Sequence, residues 1–164
     1  MKVAFHKTEE GRLCSWRAEP PKRRPFQGAT MGSRAGHTEL PHDLATFVVE
    51  AALGLEHGFW NLVANGATFR SLGRRRTEPG RRLILAYRKE LDEAEWAVNA
   101  HAGAWQRGEP TPVGPALDEM LARWRALPLG EELVVEWPTR RLPGVPARAA
   151  DGPLVRRRPP RARR

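Results

Sequence analysis

The stretch LPHDLATFVVEAALGLEHGFWNLVANGATF, residues 40–69, decides how the chain is read, because it holds two helix signals and most of the candidate chemistry. Pro41 suits the first turn of a helix, where its missing N–H is no loss, and Asp43 sets a carboxylate near the positive end of the dipole. A helix from about Pro41 to Glu56 is expected. Leu44, Phe47, Val48, Ala51 and Leu55 recur at helical spacing and form its main apolar stripe. Val49 and Leu53 fall on the opposite side, the one that His42 occupies, which predicts a helix sandwiched between two neighbours. Gly58 is expected to end it, and FWNLVANGATF follows as a short second helix closed by Asn65 and Gly66.

Outward from this centre, KVAFHK, TEEG and RLCSWRAE read as a β-hairpin near the N-terminus. Residues 20–36, PPKRRPFQGATMGSRAG, lose all periodicity and are expected to be a poorly ordered loop or insertion. From Arg81 to about Trp105, Ile84, Tyr87, Leu91, Ala94, Val98, His101 and Trp105 alternate steps of three and four, the seam of one long helix. PALDEMLARWRAL is a further helix, and Glu132 to Trp137 reads as a strand. That strand needs a sheet, and the hairpin offers one. The expected fold class is therefore α+β: a small antiparallel sheet of hairpin and late strand, packed against three or four helices. A single domain is assigned to residues 1–138 and a disordered, arginine- and proline-rich tail to residues 139–164.

The net charge of +9 suggests a nucleic-acid binder until it is placed along the chain. Nine arginines and one aspartate between Thr139 and Arg164 supply eight of those charges, which leaves +1 for the first 138 residues. A near-neutral body thus carries a basic tail. No run of about 18 apolar residues and no secretory signal pattern occur, so the cytoplasm is the expected compartment and no membrane is expected as partner. The single cysteine, Cys14, excludes an internal disulfide and any multi-cysteine zinc site, and it reads as a packing residue. Dinucleotide, P-loop, nucleophile-elbow, HExxH, EF-hand and CxxC signatures are all missing.

The chemistry that remains lies on the first helix, where His42, Thr46 and Glu50 stand four residues apart. Imidazole and carboxylate at such spacing share one side of a helix and suit zinc or iron, although a threonine in the middle is a poor ligand. His101, on the inward seam of the long helix, and His57 are the available helpers. The metal candidates are therefore His42, Glu50 and His101. Against this stands a structural reading, in which His42 and His101 are hydrogen-bonded packing residues and Glu50 has a buried partner. The acidic run Glu90 to Glu95 reads as a solvated face paired with Arg88 and Lys89. Trp96, Trp105, Trp124 and Trp137 are each expected at the end or edge of a packed element.

Residues 40–68 together with the hairpin resemble a group of small bacterial proteins of unknown function that carry the pattern LxHDLxHFxVExxxGLxxGFWxxxAxG. His42, Asp43, Glu50, Gly58, Phe59 and Trp60 match that pattern, and Thr46 stands where it has a second histidine. The resemblance implies an α+β fold and supplies no activity. Two functions follow from the residues. The first is a non-enzymatic interaction or accessory module whose tail, through Arg156, Arg157, Arg158, Arg161, Arg163 and Arg164, binds nucleic acid, an acidic protein or another polyanion. The alternative is a metal-dependent, hydrolase-like enzyme with a divalent cofactor held around His42 and Glu50.

Overall fold

The computed structural model describes residues 1–8, 14–20, 25–29, 40–70, 72 and 76–143. Strand β1 (Lys2–Lys7) lies at the centre of a sheet, antiparallel to both β2 (Cys14–Glu19) and β4 (Glu132–Glu136), as the hairpin and the late strand require. Alternation fixes its register. Val3 pairs with Ala18 and Val135 and Phe5 with Trp16 and Leu133, so one face is apolar and buried. The other face carries Lys2, Ser15, Arg17, Glu132 and Glu136 in solvent, with Arg17 and Glu132 3.6 Å apart.

A fourth strand, β3 (Phe26–Ala29), was not expected. It lies inside residues 20–36 and completes an antiparallel sheet of order β3-β2-β1-β4. Its place depends on Gly28, which pairs with Trp16: a Cβ there would stand 2.2 Å from the Trp16 ring. The strand can lie against that ring only without a side chain, and a single glycine leaves no periodic signal in the sequence. The other residues of the 20–36 segment, apart from Pro20 and Pro25, lie outside the described residues.

Helix α1 (His42–Leu53) packs its apolar side on the sheet, and every residue from Leu44 to Glu50 is buried, which is the sandwiched helix predicted from its two apolar sides. It stops earlier than expected. Gly54, at φ +66°, takes the left-handed cap, and Gly58 instead opens α2 (Phe59–Asn65), which Gly66 closes at φ +106°. Rings from both helices and the sheet form one aromatic centre: Trp60 lies 4.8 Å from Trp16, 5.5 Å from Phe47 and 5.6 Å from Phe5, centroid to centroid.

The long helix is two. Thr77 caps α3 (Glu78–Ala86) through a hydrogen bond from Gly80, and Tyr87 separates it from α4 (Arg88–Gln106). The seam survives the break because it keeps the apolar phase, with Ala94 and Val98 buried and Ile84, Tyr87, Leu91, His101 and Trp105 partly so. Helix α5 (Gly114–Ala126) ends on Lys7, whose ammonium donates to the carbonyls of Leu127 at 2.7 Å and Trp124 at 2.8 Å. No helix among the described residues is long and apolar enough to cross a membrane.

Residues 139–143 belong to the segment that the sequence assigns to the tail. Thr139 to Pro143 stay on the body, because the side chains of Asn61 and Asn65, one turn apart on α2, bond its backbone like a neighbouring strand. Asn61 Oδ1 accepts from Arg140 N at 2.9 Å, Asn65 Nδ2 donates to Arg140 O at 2.8 Å, and Asn65 Oδ1 accepts from Leu142 N at 3.2 Å. Leu142 is buried with Leu62 and Ala67, against Leu83, Ile84, Tyr87 and Leu91. Residues 144–164, which hold the arginines assigned to a polyanion, lie outside the described residues.

Candidate functional site

Glu50 is 2% exposed, and α1 aims its carboxylate at the start of α2. Oε1 accepts from Phe59 N at 2.7 Å and Oε2 from Trp60 N at 2.9 Å, so both oxygens are engaged by the first two amides of a helix that has no side-chain cap of its own. Gly58 makes room for this: a Cβ on it would lie 2.4 Å from Glu50 Cδ. Burial pushes the carboxyl up to about 7, and the bonds from Trp60 and Phe59 pull the other way.

Asp43 occupies the opposite end of α1. Its Oδ2 accepts from Trp16 Nε1 at 2.7 Å and its Oδ1 meets His42 Nδ1 at 3.2 Å, while its backbone carbonyl takes Trp60 Nε1 at 3.3 Å. His42 itself is 63% exposed. The hydrogen bond to Asp43 raises the imidazole pKa against a partial loss of solvation, and the charges of Asp43 and Glu95 add to the rise. Cys14 is buried, and desolvation together with the Asp43 charge pushes its thiol up to about 12, consistent with a packing residue.

The metal candidates do not come together. Eight residues of helix separate His42 from Glu50, a rise of about 12 Å, so a shared arc does not bring them to one ion. His101 Nδ1 instead meets Thr111 Oγ1 at 2.8 Å, between α4 and the turn before α5, and His57 stacks on Tyr87 with ring centroids 4.5 Å apart. Among the described residues no group of three or more His, Cys, Asp or Glu side chains is arranged to hold a metal ion. The middle position, Thr46, is 9% exposed, and its hydroxyl has no hydrogen-bond partner.

Comparison of the chain with family models, curated proteins and solved structures finds no match.

Two features escaped the sequence reading. One is the pinning of residues 140–142 by Asn61 and Asn65, which an asparagine pair at i and i+4 facing one side could have signalled. The other is Trp96, placed by the sequence at the edge of a packed element and found 74% exposed. The signal was there: Trp96 lies off the seam, among the charged residues of α4. With Leu85, itself 70% exposed, it lines an open groove of about 750 Å³ on α3 and α4. Arg88–Asp92 at 3.0 Å and Lys89–Glu93 at 3.6 Å are the pairs expected on that acidic face.

Proposed function

We propose that the chain is a non-catalytic interaction module of the bacterial group it resembles, acting in the cytoplasm, with residues 144–164 as its polyanion-binding element. The observation that carries this reading is the commitment of the signature to internal bonds. Both Glu50 oxygens and both Asp43 oxygens are engaged by groups of the body itself, and Gly58 is spent on close approach to Glu50. The pattern HDL, VE and GFW accordingly reads as a set of clasps on the α1–α2 core. What is left for a partner is charge. Residues 144–164 hold seven arginines and one aspartate, a density that favours phosphate oxygens without reading a base sequence.

The test is binding of a labelled single-stranded oligonucleotide, by fluorescence anisotropy, to the full chain and to a full-length variant with Arg156, Arg157, Arg158, Arg161, Arg163 and Arg164 changed to glutamine. The variant is expected to unfold at the same temperature and to lose most of the affinity. Equal binding by the two chains would place the contact on the body and overturn the reading.

A further inference from the structure

Leu85 and Trp96 are two of the four large apolar side chains left exposed among the described residues, and both line one open groove on α3 and α4. Between them in the chain, the same groove is lined by Arg88, Lys89, Asp92 and Glu93. Leu85, Lys89, Asp92 and Trp96 follow in steps of four, three and four, so they form one stripe along the helix surface, on the side away from the buried Ala94 and Val98. Glu90, about 100° round the axis from Lys89, lies beside that stripe and not on it.

The order of side chains along the stripe matches itself when reversed. An apolar residue stands at each end, a basic pair follows Leu85, and an acidic pair precedes Trp96 with two residues between. The midpoint lies between Glu90 and Leu91: Leu85 and Trp96 are equally far from it, as are Arg88 and Glu93, and Lys89 and Asp92. A two-fold axis through this midpoint and across the helix sets Leu85 of each copy against Trp96 of the other, and each basic pair against an acidic pair, the self-complementary contact of a symmetric dimer. The parallel arrangement has no such match, because it opposes like charges at both pairs. Within one chain Arg88–Asp92 at 3.0 Å and Lys89–Glu93 at 3.6 Å join these groups already. All four side chains are more than half exposed, so the pairs contribute little to the monomer. They need not break on association, since each charge keeps its neighbour and gains an opposite one across the axis.

We propose that the α3–α4 groove is a homodimer interface, in which two copies pack α4 antiparallel and the Trp96 ring of each covers Leu85 of the other. Pairing removes both exposed apolar side chains of each copy from water. The interface involves none of residues 144–164 and does not depend on the polyanion reading.

The test is sedimentation velocity of the full chain from about 5 µM to about 500 µM, in about 0.15 M NaCl. A concentration-dependent passage from monomer to dimer is expected. Trp96→Ala, at an exposed site, should unfold at the parent's temperature and weaken dimerisation roughly thirtyfold. Two charge variants check the register, one carrying Arg88→Glu with Lys89→Glu and the other Asp92→Lys with Glu93→Lys. Each repels its own copy across the axis and should stay monomeric, whereas an equal mixture restores opposite charges on both sides and should dimerise. A parent chain that stays monomeric throughout overturns the proposal and leaves the groove to a different protein. A dimer that Trp96→Ala does not weaken overturns it too, because the contact then lies elsewhere, and a mixture that stays monomeric overturns the antiparallel register. No polyanion enters the experiment, so its outcome and that of oligonucleotide binding are independent.

Discussion

Glu50 differs from the same residue in the unfolded chain by one proton over a defined range of pH. Its pKa rises from 4.5 to about 7 on folding, chiefly through burial. Between those values the folded state keeps a proton that the unfolded chain has released, so this group's contribution is full below pH 4.5 and is lost as the pH rises through 7. Glu50→Gln removes the titration and keeps the shape. Its unfolding free energy relative to the parent should shift by about 2 kcal/mol in favour of glutamine between about pH 5 and about pH 8, measured by urea unfolding. A constant difference across that range contradicts the burial argument. Thr46 offers a second reading of the same core: its hydroxyl is buried without a partner, so Thr46→Val should raise stability by up to about 1 kcal/mol. A loss of stability would mean that the hydroxyl is satisfied. These two residues also show what the sequence could tell. It showed a histidine, a threonine and a glutamate on one side of a helix, because side-chain direction follows from spacing alone. The rise along the axis that separates His42 from Glu50 follows from the same spacing; what the sequence could not show is that Glu50 is claimed by two amides, since that partnership depends on how the chain turns at Gly54 and Gly58.

Among the elements, α2 is the one that local preference cannot explain. Seven residues are too few to hold a helix alone, and α2 persists because Glu50 binds its first amides, Trp60 fills the aromatic centre and its asparagines hold residues 140–142. Asn65→Ala removes two bonds to that segment and should cost about 2 kcal/mol. By hydrogen exchange the Leu142 amide should then become fast while the Trp137 amide, bonded to Met1 O, stays protected. Continued protection of Leu142 would show that its burial, not Asn65, holds the segment. Elements with a strong period were legible: the hairpin strands, the late strand, α1, α2 and α5 stand within a few residues of their expected places. The break at Tyr87 was invisible because the apolar seam runs through it unchanged, and β3 was invisible because pairing with β2, not its own composition, makes it a strand.

For the whole molecule, charge is unevenly divided along the chain. The first 138 residues, at +1, supply the sheet, the helices and the clasped signature, whereas residues 144–164, with seven arginines and one aspartate, supply +6 of the net +9. That division was read directly from the sequence, because charge per segment needs no fold to be counted. The groove at Trp96 was not, because exposure of one ring depends on which side of α4 meets the core. The most direct test of the account is the salt dependence of oligonucleotide binding by the full chain. If the six arginines from Arg156 to Arg164 each meet a phosphate, log K should fall against log salt concentration with a slope of about −4 for a single strand, and the six-glutamine variant should show almost none. A slope near zero for the full chain, or the same slope in both chains, contradicts it.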